Sequence, residues 1–215
     1  MSKYGVDVVV KFFLIAAAVL CLTFVLVDDA TVRYTITACV GLLTIFVLNF
    51  FRDPDRKAPH ERGIVVSPAD GKIVQIKELF EKNYLGSEAV QVSVFMSPLN
   101  IHVNRIPISG TIGYFEHIPG EYGVAFEDKS SERNERTLIG IEHDGYKVLF
   151  KQVAGTIARR IVAHLEVGQR VSIGDRFGMI KFGSRVDVIM PRSSTVQIQI
   201  NDRVVAGETI LARFS

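Results

Sequence analysis

Two long apolar runs open the chain and set its first fifty residues apart from the rest. Residues 8–27 carry one charge, Lys11, and residues 35–51 carry none. An α-helix needs about 17 to 25 apolar residues to cross the ~30 Å hydrocarbon core of a bilayer, so the second run is at the short limit. The polar link at residues 28–34 predicts a helical hairpin, which either spans the membrane or enters one leaflet.

The charges that flank these runs predict the orientation of the hairpin. Lys3 and Lys11 stand at its start, and basic residues follow it at positions 52, 56, 57 and 62. By the positive-inside rule both ends of the hairpin are cytoplasmic, and so is everything after residue 52. The expected localisation is therefore the cytoplasmic (inner) membrane, with the part of the chain after the hairpin facing the cytoplasm. A cleaved signal peptide is disfavoured, because a second apolar run follows directly.

After the hairpin the pattern changes to short alternating runs broken by glycine. Pro54 and Pro59 disfavour helix in residues 52–63, which we interpret as a linker. The alternation that follows predicts β-strands, and it is clearest at residues 71–76, 90–95 and 147–153. The expected organisation is a membrane hairpin in residues 1–51, the linker, and a mainly β domain in residues 64–215.

A weak internal repeat refines the expected fold. Residues 167–175 are echoed by residues 201–208, and each copy has a turn, a pair of strand residues and a glycine turn in the same order. This order resembles the flattened β-sandwich of biotinyl and lipoyl carrier domains, although hairpin turns commonly reuse Gly and Asp. We therefore expect a sandwich or barrel-sandwich. Residues 156–164 fit either a short helix or a strand.

Composition and charge exclude several classes of function. The formal net charge is +2, which is not the footprint of a nucleic-acid-binding protein. Cys21 and Cys39 both lie in apolar runs and offer neither a zinc-binding spacing nor a disulfide framework. No P-loop or dinucleotide fingerprint is present. We expect no metal site and no nucleic-acid partner.

The pair Gly183-Ser184 offers a particular chemistry, although Gly-Ser alone is usually a turn. A serine hydroxyl can attack the carbonyl carbon of its own preceding peptide bond, and glycine leaves that attack unhindered. Elimination from the resulting ester gives dehydroalanine, which hydrolyses to a pyruvoyl group and ammonia. A pyruvoyl ketone forms a Schiff base with an amine and acts as an electron sink, as pyridoxal phosphate does elsewhere.

Four stretches together resemble one family. They are FFRDP at residues 50–54, SPADG at 67–71, FMSPLNIHVNR at 95–105 and FGS at 182–184. In this order and spacing they resemble the phosphatidylserine decarboxylases, and the hairpin resembles the short branch of that family. The resemblance implies conversion of phosphatidylserine to phosphatidylethanolamine by a pyruvoyl cofactor. It also implies self-cleavage between Gly183 and Ser184 into large (1–183) and small (184–215) chains that stay associated.

The resemblance carries roles to individual positions. Ser184 would be the nucleophile of self-cleavage and the source of the pyruvoyl group, and Gly183 would become the new C-terminus. Asp70 would orient or polarise the self-cleavage machinery, and His102 would act as acid or base during decarboxylation. The plain structural alternatives are an Asp-Gly turn for Asp70 and a buried, hydrogen-bonded histidine for His102.

One position departs from the longer members of the family. They carry a second histidine, the base for self-cleavage, three positions after the one that matches His102. This chain has Arg105 there, which stays protonated and cannot act as a base. Either His102 serves both steps or another group activates Ser184. The remaining histidines, His60, His117, His143 and His164, are all conceivable.

Arginines are the expected partners of an anionic phospholipid headgroup. Arg159 and Arg160 lie in a segment that resembles one of the family and are candidates, together with Arg105. The alternative for the Arg159-Arg160 pair is a basic surface at the membrane. Residues 132–136 also resemble a family segment, but no role can be assigned to them.

Two other interpretations are compatible with the sequence. A non-catalytic membrane-anchored adaptor or carrier would share the sandwich, but Lys181 is a poor candidate for a modified carrier lysine and no long helical hairpin interrupts the β region. Archaetidylserine differs from phosphatidylserine in its ether-linked isoprenoid tails, which the amine chemistry does not sense. The sequence also leaves open whether the chain forms a homo-oligomer.

Overall fold

The computed structural model describes residues 1–120, 134–155, 161–180 and 184–214. The chain divides into two compact units, Met1–Pro54 and Asp55–Ser215. The first unit is helical and the second is built from strands.

The first unit is a hairpin of two helices, α1 (Val6–Leu26) and α2 (Ala30–Phe50). Both are long and apolar enough to cross a membrane, since 21 residues extend for roughly 31 Å. Large apolar side chains on them are exposed in the isolated chain, among them Leu14 at 67% and Leu42 at 68%. A hairpin with this surface is suited to an apolar surrounding, which supports association with a membrane.

Helix α2 begins five residues before the apolar run that predicted it. The carboxylate of Asp29 accepts a hydrogen bond from the backbone N–H of Val32 at 2.9 Å and so caps the helix. Arg33 donates to the carbonyl of Val27 at 2.7 Å and lies over the ring of Phe24, 5.4 Å from its centroid. These contacts draw the polar link into the helix, so the short second run becomes a full-length helix.

The strands of the second unit are β1 (Ile64–Val66), β2 (Gly71–Glu81), β3 (Ser87–Met96), β4 (Val103–Arg105), β5 (Gly110–Ile118), β6 (Arg136–His143), β7 (Tyr146–Ala154), β8 (Ile161–Ala163), β9 (Arg170–Val171), β10 (Arg176–Ile180), β11 (Ser184–Pro191), β12 (Thr195–Val196), β13 (Arg203–Val204) and β14 (Ile210–Arg213). The three runs with the clearest alternation fall within β2, β3 and β7. Of residues 156–164, the described part contains strand β8, and residues 156–160 lie outside the described part.

Within the described residues these strands form three antiparallel sheets. The largest has the order β13-β2-β3-β11-β7-β6-β5-β9 and curls into a half-barrel. The two smaller ones have the orders β4-β10-β8 and β1-β14-β12. The expected fold class, a mainly β domain behind two apolar N-terminal helices, is therefore confirmed.

The main core lies on one face of the large sheet. Strand β11 shows the alternation most clearly, because Val186, Val188 and Met190 point into this core. The residues between them, Arg185 and Asp187, lie on the other face, where they form a buried ion pair at 2.8 Å. The inward face therefore presents mostly apolar side chains, and any polar group on it needs a hydrogen-bond partner there.

The weak repeat corresponds to two similar elements at opposite edges of the large sheet. Its first copy contains β9 and its second contains β13. The glycines that follow, Gly174 and Gly207, have φ angles of +84° and +76°, a backbone conformation that glycine adopts without strain. A Cβ atom on Gly207 would lie 3.4 Å from the Cα of Gly174, so these two turns meet and bring the edges of the curled sheet together.

Candidate active site

Ser184 is the first residue of the central strand β11. It lies between Met96 of β3 and Ala154 of β7 in the strand register. Its side chain is fully buried and shares the inward face with Val186. The hydroxyl donates to the thioether sulfur of Met96, with an Oγ–Sδ distance of 3.3 Å. The serine is thus held inside the domain and is not part of an exposed turn.

The chain changes sheets immediately before Ser184. Strand β10 ends at Ile180 in a three-stranded sheet, and β11 begins at Ser184 in the large one. Four residue steps span at most about 14 Å, so the ends of the two strands are close. Lys181 and Gly183 lie in the intervening stretch, outside the described residues.

His102 lies beside the strand that leads to Ser184. It is fully buried and directly precedes β4, which pairs with β10. Its backbone carbonyl accepts a hydrogen bond from the N–H of Ile180 at 3.4 Å. Its ring Nδ1 is 2.9 Å from the carbonyl oxygen of Asn100. Because a carbonyl oxygen can only accept, Nδ1 carries the hydrogen, and Nε2 of the neutral ring carries the lone pair.

Asp70 is held by two groups from distant parts of the chain. The guanidinium of Arg56 contacts both carboxylate oxygens, with an Nη2–Oδ2 distance of 2.8 Å. The backbone N–H of Ala206 donates to Oδ1 at 2.8 Å, and Arg56 also donates to the carbonyl of Ala206 at 2.9 Å. Gly71 starts strand β2, so the Asp-Gly pair leads into a strand and does not form a hairpin turn.

A chain of buried polar side chains connects these regions. Asn104 donates from Nδ2 to the carbonyl of Pro68 at 3.4 Å and approaches the sulfur of Met96 at 3.7 Å. Its Oδ1 accepts from Gln152 Nε2 at 2.8 Å, and Gln152 Oε1 accepts from the hydroxyl of Thr137 at 2.7 Å. Pro68 precedes Asp70 by two residues and Met96 contacts Ser184. The contacts therefore run from the acidic motif to the serine.

Sequence reasoning did not single out these polar residues. A signal for Gln152 was nevertheless present, because it shares the inward positions of β7 with Phe150 and Ala154 of the main core. A glutamine at such a position requires a buried partner. Arg56 carried no such local signal, since its partner Asp70 is fourteen residues away along the chain.

The candidate headgroup arginines are only partly described. Arg105 is buried, and its guanidinium donates to the carbonyl of Gly174 at 2.9 Å. Its backbone N–H donates to the carbonyl of Pro68 at 2.9 Å. Arg159 and Arg160 lie outside the described residues. The role of all three in substrate binding stays a prediction.

The other histidines lie away from Ser184 or on the surface. His117 approaches Glu135 at 3.5 Å, but its strand β5 is three strands from β11, roughly 14 Å along the sheet. His143 lies at the far end of β6, seven residues and about 23 Å beyond Arg136. His60 and His164 are exposed. Contacts to the segment before Ser184 therefore favour His102 over these four.

Comparison with known proteins identifies the family. A family model described as phosphatidylserine decarboxylase matches residues 43–212, which include all four stretches and nearly the whole β domain. The chain belongs to the phosphatidylserine decarboxylase family. The resemblance drawn from the four stretches is confirmed, and the chain is a member of a family of decarboxylases.

Relatives match this member of the phosphatidylserine decarboxylase family over nearly its whole length. A protein of Pelodictyon phaeoclathratiforme is 46% identical over 213 residues, covering 99% of each chain. One of Chlorobium phaeovibrioides is 44% identical, covering 100% of this chain and 96% of its own. One of Amoebophilus asiaticus is 43% identical, covering 91% and 89%. All three are named phosphatidylserine decarboxylase proenzyme.

Proposed function

We propose that this chain cuts itself between Gly183 and Ser184 and then decarboxylates phosphatidylserine to phosphatidylethanolamine. Family membership supports the reaction, and the name proenzyme, carried by the relatives, supports the processing. The observation that carries the proposal is the position of Ser184. Its buried hydroxyl donates a hydrogen bond to the thioether of Met96, a weak acceptor that gives up the hydrogen bond at little cost.

The proposed self-cleavage uses atoms of the chain itself and one water molecule. The Oγ of Ser184 attacks the carbonyl carbon of residue 183, its proton passes to a base, and the peptide C–N bond breaks to leave an ester and a free amine. Loss of the Cα proton then breaks the Cβ–Oγ bond, which releases the carboxylate of residue 183 and leaves dehydroalanine. Water hydrolyses its imine tautomer, and ammonia departs.

We propose His102 as the base for this cleavage, as well as the acid or base of decarboxylation. The hydrogen bond from Nδ1–H to Asn100 leaves Nε2 as the basic nitrogen of the neutral ring. The hydrogen bond between its carbonyl and Ile180 ties it to the segment that precedes Ser184. Arg105 cannot take this role, because a guanidinium stays protonated.

We assign Asp70 an orienting role. Its Oδ1 accepts from Arg56 and from Ala206, and its Oδ2 accepts from Arg56. A carboxylate held in this way fixes the loop that contains Pro68, whose carbonyl receives Asn104 and Arg105. Asp70 would then support the site through the backbone of this loop and would not transfer a proton.

The surroundings of Ser184 suit a pyruvoyl group. The serine is buried beside Met96 and Ala154, and none of these side chains carries a charge, so an uncharged ketone fits there. When present, the pyruvoyl group supplies a carbonyl that condenses with the substrate amine and accepts the electrons released with carbon dioxide. Arg105, Arg159 and Arg160 remain the proposed partners of the lipid phosphate, and helices α1 and α2 would keep the protein at the membrane.

The test is the intact mass of the purified full-length protein under denaturing conditions, beside a Ser184→Ala variant. We expect two fragments from the wild type, the smaller one lighter by one ammonia than unmodified residues 184–215 and reactive toward a ketone probe. The variant should stay whole and inactive. Activity is measured as carbon dioxide release from micelles of phosphatidylserine, with archaetidylserine in a parallel sample. A fully cleaved wild type without activity on either lipid would refute the proposed reaction.

A further inference from the structure

The sulfur of Met96 is approached by two donors from different elements. The hydroxyl of Ser184 lies 3.3 Å from it, and the amide nitrogen of Asn104 lies 3.7 Å from it. All three side chains are fully buried. Since a thioether accepts weakly, neither donor alone holds the flexible methionine side chain firmly, and the position of the sulfur depends on both.

The direction of the Asn104 amide is determined by a chain of hydrogen bonds. The carbonyl of Pro68 can only accept, so Asn104 presents Nδ2 to it and Oδ1 to Nε2 of Gln152, and Oε1 of Gln152 accepts from the hydroxyl of Thr137. Reversing either amide would place N–H against N–H or oxygen against oxygen. The NH₂ group of Asn104 is therefore directed at Pro68 and Met96.

The three hydrogen-bonded side chains come from separate strands. Thr137 is on β6, Gln152 on β7 and Asn104 on β4 of a smaller sheet. Thr137 is about 1% exposed and the two amides are not exposed at all. We call these three residues the amide chain. A buried and fully directed chain of this kind is rigid, because breaking one link leaves a polar group without its partner.

We propose that the amide chain is a positioning device for self-cleavage, acting through Met96 on the hydroxyl of Ser184. This inference rests on the proposed function, since it assigns the amide chain a role in self-cleavage. Conversion of Ser184 removes its hydroxyl, so the Oγ–Sδ contact exists only in the uncut protein. The amide chain should therefore govern the rate of cleavage and have little influence on turnover after cleavage.

The experiment compares Thr137→Val with Thr137→Ser in the full chain. Valine keeps the shape of threonine without its hydroxyl, whereas serine keeps the hydroxyl. The full-length protein is made by pulse-labelled synthesis into membranes, and the appearance of the small fragment is followed over time. We expect Thr137→Val to slow cleavage about five- to tenfold and Thr137→Ser to cleave at nearly the wild-type rate.

Turnover separates a specific effect on cleavage from a general loss of structure, because a general loss of structure would lower turnover as well. After cleavage is complete, kcat is measured per pyruvoyl group, counted with a ketone probe. We expect kcat of Thr137→Val to stay within about twofold of the wild type. The inference is overturned if Thr137→Val cleaves at the wild-type rate, if Thr137→Ser is equally slow, or if kcat falls in parallel with the cleavage rate.

A second variant decides the matter if Thr137→Val does not fold. Met96→Leu has a similar volume but removes the sulfur acceptor, so slow cleavage supports the inference and wild-type cleavage overturns it. The two proposals fail in different ways. A wild-type chain that never yields a ketone-bearing fragment refutes the proposed function, whereas a wild type that matures normally beside an equally fast Thr137→Val variant refutes only this inference.

Discussion

Arg56 and Asp70 form a buried, bidentate ion pair, and both side chains also make hydrogen bonds to the backbone of Ala206. The exposed fractions of the two side chains are 8% and 13%. Arg56 lies in the linker, Asp70 in the acidic motif and Ala206 near the C-terminus, so one contact joins three distant parts of the chain. After the proposed cleavage, the same contact would tie the small chain to the large one.

Removing this arginine should destabilise the protein strongly. Arg56→Ala leaves the carboxylate of Asp70 buried without its counter-charge, and we expect the free energy of unfolding to fall by about 3 kcal/mol. The measurement is denaturant unfolding of the full chain in detergent, in a Ser184→Ala background that keeps the chain whole. Arg176→Ala is the control, because its partner Asp55 is fully exposed, and its unfolding midpoint should not change. Equal effects of the two variants would contradict the prediction.

Gly71 should not tolerate a side chain, for a reason different from that of a turn glycine. A Cβ atom there would lie 2.1 Å from the carbonyl oxygen of Phe95 on the paired strand. We expect Gly71→Ala to cost about 3 kcal/mol, because backbone must move to admit it. Gly145→Ala is the comparison: its φ is +84° but its surroundings are open, so the cost should be about 1 kcal/mol. Thermal unfolding in the Ser184→Ala background measures both, and the reverse order would be inconsistent with this packing.

The carboxylate of Glu81 should make stability depend on acid. Burial raises its pKa. Hydrogen bonds from the backbone N–H groups of Leu85, Asn83 and Tyr84 lower the pKa by more than burial raises it, so the net pKa lies below its ordinary value. A depressed pKa means that this stabilisation is present above the unfolded pKa near 4.5 and is lost as the pH falls through the lower folded value.

The Glu81→Gln variant provides the measurement for this pH dependence. Its amide cannot titrate, so we expect it to be less stable than the wild type at neutral pH and the difference to shrink as the solution is acidified below about pH 4.5. Unfolding midpoints are compared between pH 7 and pH 3, again with uncut chains. A stability difference that stays constant over this range would show that the carboxylate is not the titrating group.

Replacing the proposed base should separate folding from chemistry. His102→Asn retains a side-chain N–H near the carbonyl of Asn100 but has no basic nitrogen. We expect self-cleavage to slow by at least about 100-fold, the usual contribution of general acid–base catalysis. The fraction cleaved is followed by denaturing gel electrophoresis, and a thermal transition in detergent reports folding. His117→Asn serves as the matched control and should cleave normally. If His117→Asn cleaves slowly and His102→Asn cleaves normally, the base would be His117.

The orientation of the hairpin can be tested with single cysteines. In a Cys21→Ala, Cys39→Ala background, Asp28→Cys places a thiol between the two helices and Lys82→Cys places one in an exposed turn of the β domain. If the helices span the cytoplasmic membrane, a membrane-impermeant maleimide added to intact spheroplasts should label position 28, and it should label position 82 only after lysis. Labelling of neither site before lysis would indicate a hairpin that enters one leaflet.

Local patterns predicted the elements of this fold better than their pairing. Alternation placed strands at β2, β3 and β7, because it depends on residues that are near one another in sequence. The start of α2 was missed by five residues, since Asp29 and Arg33 stabilise it through capping and side-chain contacts that hydrophobicity does not record. Strand order depends on contacts between distant segments and was not predictable from alternation.

The same distinction applies to the candidate site. Ser184, His102 and Asp70 became candidates because each lies in a short recognisable stretch of sequence. Arg56 and Thr137 have hydrogen-bond partners fourteen and fifteen positions away, and nothing local indicates such partners. Gln152 was the detectable exception, as a polar residue in an apolar register. A polar residue at an apolar position of a strand therefore indicates a buried hydrogen-bond network that sequence motifs do not reveal.

The position of β11 has a consequence for how the protein reaches its native state. If the chain is cut before Ser184, the central strand of the large sheet begins a separate chain, while its neighbours β3 and β7 stay on the other. Strand β14 of the same fragment also pairs with β1. Refolding of the denatured mature protein then becomes a fragment-complementation reaction, second order in protein, whereas the uncut chain folds in a first-order process. The uncut precursor would then be the form in which the sheet assembles at low cellular concentrations.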